Sequence, residues 1–116
     1  MTQNWMALAC ELAGKPCLRV INGPQAGARL MVPDGAGLLL GRGRGCHLVL
    51  DDKRVSRVHA RLWRRGRRVW AQDLSALNGL VVDGTCVHDE LELRPGARLG
   101  IGRFELVLEW GPSSGR

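Results

Sequence analysis

Residues 38–63, LLLGRGRGCHLVLDDKRVSRVHARLW, decide the fold of this chain. Leu38–Leu40 and Leu48–Leu50 are apolar runs too short for a helical period, and the glycine-rich segment GRGRG at 41–45 lies between them. After the charged turn Asp51-Asp52-Lys53-Arg54, the segment Val58–Trp63 alternates. Alternation puts Val58, Ala60 and Leu62 on one face, read as core, and His59, Arg61 and Trp63 on a mixed polar face. Short strands joined by polar turns are the pattern of an all-β domain.

The same grammar extends in both directions. Cys17–Ile21, Arg29–Val32, Arg68–Asp73, Leu80–Val82, Thr85–Val87, Arg98–Ile101 and Phe104–Trp110 read as further strands. They are punctuated by Asn22-Gly23-Pro24, Pro33-Asp34-Gly35, Asp83-Gly84 and Pro95-Gly96. If Gly66-Arg67 forms a type II′ turn, which wants glycine first, Trp63 faces Trp70 and Leu62 faces Ala71. The tryptophan pair then staples the hairpin or offers a docking patch, with the staple favoured. Many short strands at this spacing imply an antiparallel sandwich or barrel. Only Trp5–Leu12 suggests a helical turn or two. The expected division is an N-terminal arm over 1–16, a β-domain over 17–110 and a flexible Gly/Pro/Ser tail over 111–116.

Composition narrows the partners. The 116 residues suit one core, and 17 Lys and Arg against 11 Asp and Glu give a net charge of +6, which favours anionic partners. The 4 cysteines, Cys10, Cys17, Cys46 and Cys86, form no CxxC pair, so neither a zinc site nor a thioredoxin-like site is expected, and a reducing cytoplasm fits. MALACELAG at 6–14 has no basic residue before it and is interrupted by Glu11, unlike a signal peptide. No run reaches membrane-spanning length, and no cofactor or metal is expected.

Three segments carry groups suited to a phosphate: GRGRGCHLVL from Gly41, VSRVHARL from Val55 and DLSALNGL from Asp73. Arg42 ends an apolar run, so its backbone is held while its guanidinium reaches a crevice. An arginine fork matches two phosphate oxygens, at about 1.5–3 kcal/mol for each charge-assisted bond. Ser56 adds a short hydroxyl after a turn, and Asn78-Gly79 makes a turn after another run. Singly, each is bland: an arginine beside a turn glycine is usually solvated, a lone strand histidine is usually structural, and Asn-Gly says only hairpin.

Together and in this order the motifs resemble the forkhead-associated (FHA) family, over about Leu18 to Glu109. The resemblance implies an FHA/SMAD-like β-sandwich of about eleven mostly antiparallel strands that binds a threonine-phosphorylated protein or peptide. It implies phosphopeptide contacts from Arg42, Ser56, Arg57, Asn78, Arg54 and Ser75. Arg42 and Ser56 would take the phosphate, Arg57 phosphate or peptide backbone, and Asn78 the peptide main chain. Arg54 would meet side chains C-terminal to the phosphothreonine. Gly41, His59 and Gly79 would support the loops without touching peptide. The chain departs from the family's Asp-Leu-Gly-Ser-Thr-Asn-Gly-Thr pattern at Ser75, Ala76 and Leu77, which leaves Ser75 as the hydroxyl near that turn. His47 replaces a common Asp in a supporting position.

Other readings fare worse. Ser56, His59 and Asp51 or Asp52 could compose a hydrolase triad, but there is no GxSxG elbow, so no enzyme is expected. GRGRG lacks the spacing and Lys-Ser/Thr ending of a P-loop. Arg64, Arg65, Arg67 and Arg68 make a basic hairpin that could meet an anionic partner. With one Phe and no Tyr, few rings are available to stack nucleic-acid bases. FHA-like domains also occur as scaffold pieces of bacterial secretion apparatus with a weakened or phosphate-independent pocket.

Overall fold

The computed structural model describes residues 15–75 and 79–110. The helical turn expected over Trp5–Leu12 and the tail over 111–116 lie outside the described residues, as do Ala76, Leu77 and Asn78. In chain order the strands are β1 (Pro16–Val20), β2 (Arg29–Met31), β3 (Leu38–Gly41), β4 (Leu48–Val49), β5 (Ala60–Arg65), β6 (Arg68–Asp73), β7 (Leu80–Val82), β8 (Thr85–Val87), β9 (Glu90–Leu93), β10 (Arg98–Ile101) and β11 (Phe104–Trp110). They form two sheets, ordered β2-β1-β11-β10-β7-β8 and β4-β3-β5-β6-β9. Among the ladders, β3 with β4 is parallel and the others are antiparallel. The sandwich expected from the sequence is therefore the fold observed.

Alternation fills the space between the sheets. Leu18 and Val20 of β1, Leu106 and Leu108 of β11, and Leu99 and Ile101 of β10 face Leu40, Leu62, Val69 and Ala71 of the second sheet, all buried. The β5–β6 hairpin has the expected register, with Trp63 opposite Trp70 and Leu62 opposite Ala71. Gly66 supplies the positive φ (62°) that a II′ turn needs at its first central position. The β7–β8 hairpin turns at Asp83-Gly84, where both φ values are positive (49° and 84°), as a type I′ turn requires.

Three details differ from the sequence reading. Glu90–Leu93, absent from the candidate strands, pairs with β6 as the edge strand β9. Its Glu-Leu-Glu-Leu alternation was a strand signal, masked by glutamate's poor β propensity. The strand expected from Val58 begins at Ala60, and Val58 is exposed instead of in the core. The reason is that residues 56–58 are drawn into a loop whose carbonyls serve the neighbouring turn, so alternation starts only where pairing with β3 starts. Likewise His59 and Trp63, placed on a polar face, are buried. Trp63 lies under the Arg61 guanidinium, 4.5 Å from the ring centroid, while Arg61 Nε also donates to the Ala36 carbonyl. A Cβ on Gly37 would press on Trp63 Cβ. The ring is thus covered from above, which fits the staple and not the docking patch.

Candidate functional site

Sheet register fixes which loops meet. Leu40 of β3 pairs with Ala60 of β5, which pairs with Asp73 of β6. The loop after Gly41, the segment before Ala60 and the loop after Asp73 therefore share one end of the sandwich. Backbone bonds join the first two: the Arg42 amide donates to the Ser56 carbonyl and the Gly43 amide to the Arg57 carbonyl, each at 3.0 Å. The Cys46 thiol donates to the same Arg57 carbonyl at 3.3 Å. Gly41 is required by this approach, since any Cβ there would collide with the Arg57 carbonyl. The Arg57 side chain crosses Gly43, with its Cγ 3.2 Å from where a Cβ would stand. Arg42 and Arg57 are thus exposed neighbours, and neither has an acidic partner among the described residues.

His59 ties in the third loop. Its Nδ1 accepts the Ser56 amide at 3.0 Å, and its Nε2 lies 2.7 Å from the Gly79 carbonyl, to which it donates. Accepting at one nitrogen and donating at the other defines the neutral Nε2–H tautomer. The side chain is fully buried, and its bond to Gly79 links the segment just before β5 in one sheet to the residue just before β7 in the other. The Leu74 amide donates a further hydrogen bond to the His59 carbonyl at 2.9 Å. The Ser75 hydroxyl donates to Asp73 Oδ1 at 2.6 Å and accepts the Gly79 amide at 2.9 Å. It joins Asp73 and Gly79, the described residues on either side of 76–78. Ser56 Oγ is shielded from solvent and has no hydrogen-bond partner among the described residues.

The Arg54 amide donates to Asp52 Oδ1 at 3.0 Å, and Arg103 Nε pairs with Asp52 Oδ2 at 2.9 Å. These two contacts, the amide of Arg54 first, hold the Asp52 carboxyl below its ordinary pKa. Arg54 and Arg103 border a groove of about 420 Å³ with Gly79, Val81, Gly100 and Glu105. Arg103 was not singled out from sequence, and Asp52 was weighed there only as a triad member, not as the partner of Arg103. Arg103 sits on the β10–β11 turn, 49 residues from Arg54, and Gly102-Arg103 between two strands marked only a turn. His47, whose role was open, accepts the Leu39 amide at Nδ1 (2.9 Å) and returns its own amide to the Leu39 carbonyl (2.8 Å). It anchors the loop that carries Arg42.

This arrangement, an arginine and a serine from adjoining loops locked by a buried histidine, can be compared with known proteins. Residues 19–110 match the family model described as the inner membrane component of T3SS, cytoplasmic domain. A solved structure described as a structural and functional analysis of phosphothreonine-dependent FHA domain interactions superposes with a TM-score of 0.75 at 26% identity, covering 84% of this chain and 98% of that one. The chain belongs to the FHA family. This FHA domain is 36% identical over 102 residues to the glycogen accumulation regulator GarA of Mycolicibacterium smegmatis, covering 88% of this chain and 63% of GarA. It is 34% identical over 102 residues to the oxoglutarate dehydrogenase inhibitor of Corynebacterium efficiens, covering 88% and 70%. The chain thus spans 63% of the length of GarA. FHA domains and regulators of this type are binding or regulatory modules, and these comparisons indicate no catalytic family. Among the described residues no helix is long and apolar enough to cross a membrane.

Proposed function

We propose that this FHA domain binds threonine-phosphorylated peptides in a cytoplasmic setting, acting as an adaptor and not as an enzyme. The observation that carries the reading is the 3.0 Å bond from the Arg42 amide to the Ser56 carbonyl. It makes neighbours of an exposed guanidinium and a hydroxyl that no described residue engages. A phosphothreonine has about −1.5 to −2 charge and three acceptor oxygens, so it needs cationic and hydroxyl donors from converging loops. Arg42 would take two oxygens by its fork, and Ser56 a third after its side chain turns outward. Arg57 adds a second cation beside them, and Asn78, next to Gly79, would hold the peptide main chain. Arg54 faces the groove where side chains C-terminal to the phosphothreonine would lie. Ser75, expected as a contact, serves better as a brace, because its proton is committed to Asp73. The related structure concerned with phosphothreonine-dependent interactions supports the same ligand. Calorimetric titration with phosphorylated and unphosphorylated forms of one threonine-peptide library tests this, and only the phosphorylated form is expected to bind.

A second reading is favoured by the matched family model, whose description is that of a type III secretion component. Under it the domain is a scaffold piece with a weakened or phosphate-independent pocket, consistent with the hydroxyls missing at Ala76 and Leu77. The same titration separates the two: no binding by any library member would favour the scaffold.

A further inference from the structure

The end of the sandwich opposite the Arg42 loops is also cationic, and the phosphopeptide reading does not use it. The tip of the β5–β6 hairpin carries Arg65 and Arg67, and the β9–β10 turn carries Arg94, all exposed. Not every arginine there is available. Arg64 Nε donates to the Val32 carbonyl at 2.8 Å and its Nη1 to the Gly66 carbonyl at 3.0 Å, while Arg68 pairs with Glu92 at 3.1 Å. Arg65, Arg67 and Arg94 have no acidic partner among the described residues. Between the two turns a groove of about 280 Å³ is lined by Arg67, Glu92, Leu93, Arg94, Pro95 and Trp110. Its half-buried Trp110 pairs with Pro16, next to exposed Lys15.

We propose that this basic end docks onto an anionic lipid surface, with Arg65, Arg67 and Arg94 facing the headgroups and Trp110 at the interface. Guanidiniums fanned over separate turns suit a flat, diffuse negative surface, and tryptophan prefers the headgroup boundary. Single-stranded nucleic acid would want several stacking rings, and Trp110 is the aromatic lining this groove. The matched family model is described as the cytoplasmic domain of an inner membrane component, which is consistent with a lipid surface as the partner. Strand β5 spans about 17 Å from Ala60 to Arg65. That exceeds a screening length of about 10 Å, so lipid at this end leaves the Arg42 loops open.

Co-sedimentation with phosphatidylcholine vesicles, with and without phosphatidylglycerol, tests the proposal on the full chain. Binding is expected only with phosphatidylglycerol, falling steeply with salt. Each exposed cation near such a surface contributes about fivefold, so Arg65→Ser/Arg67→Ser/Arg94→Ser should weaken it on the order of 100-fold. The triple variant should melt like the parent, since none of the three side chains makes a hydrogen bond or ion pair among the described residues, and Arg42→Ala should sediment like the parent. Equal sedimentation by the triple variant, binding governed by Arg42, or retention on heparin with no vesicle binding would each overturn the lipid assignment.

Discussion

His59 Nε2 donates to the Gly79 carbonyl across 2.7 Å, joining the segment that leads into β5 of one sheet to the loop that enters β7 of the other. Because the same ring accepts the Ser56 amide, one buried side chain fixes the separation of two loops that would grip a phosphate from opposite sides. Arg42 and Arg57 can then stay exposed without acidic partners among the described residues, since their backbones are held from behind.

His59→Ala should lower stability by roughly 1–3 kcal/mol, the usual cost of leaving buried polar groups unpaired. In a domain of this size each kcal/mol moves Tm by roughly 4–8 °C. Thermal denaturation followed by circular dichroism is the check, with weakened phosphopeptide binding expected alongside. A variant that melts like the parent yet loses all binding would show His59 to be a ligand contact instead.

Gly41→Ala should be costly although its new methyl is small. The Cβ would meet the Arg57 carbonyl, which already receives the Gly43 amide and the Cys46 thiol, so the backbone has little room to yield. Overpacking of this kind costs about 1–3 kcal/mol and here should also displace Arg42. A urea titration together with a phosphopeptide titration measures both effects; unchanged midpoint and affinity would mean the loops are not locked as described.

Acid should loosen the Arg54 loop through Asp52. The carboxyl is held below its ordinary pKa in the folded domain, so its stabilising contribution is fully present above the unfolded value and disappears as pH falls through the lowered folded value. Asp52→Asn should lower stability near neutral pH and flatten the acid limb of the stability curve. Melting temperatures across an acidic pH series report this, and parallel curves for parent and variant would contradict it.

The sandwich was legible because its signals are local: apolar alternation, paired turn residues and a II′ hairpin that fixes the register of Trp63 and Trp70. Where the reading slipped, a tertiary cause won. Val58 was assigned inward by alternation alone, but residues before Ala60 answer to the neighbouring loop and not to a sheet. Trp63 was assigned to an outer face, which is true of the strand, yet Arg61 and the Gly37 turn close over it. The pairing of Asp52 with Arg103 joins segments 51 residues apart, and no short-range pattern announces it. Ser75 shows the opposite limit: its hydroxyl was visible in the sequence, but its commitment to Asp73 and Gly79 was not.

The most direct test is isothermal titration calorimetry of the parent and Arg42→Ala against a degenerate phosphothreonine library and its unphosphorylated counterpart. Arg42 is exposed and donates through its backbone amide, so removing its side chain should leave the fold and the Ser56 contact intact. The parent is expected to bind some phosphothreonine peptide in the micromolar range or tighter, favouring it over the phosphoserine form because a buried methyl adds about 0.8 kcal/mol. Arg42→Ala is expected to show no binding while melting like the parent. Equal binding by parent and variant, or no binding of any phosphopeptide by the parent, would contradict the phosphothreonine reading.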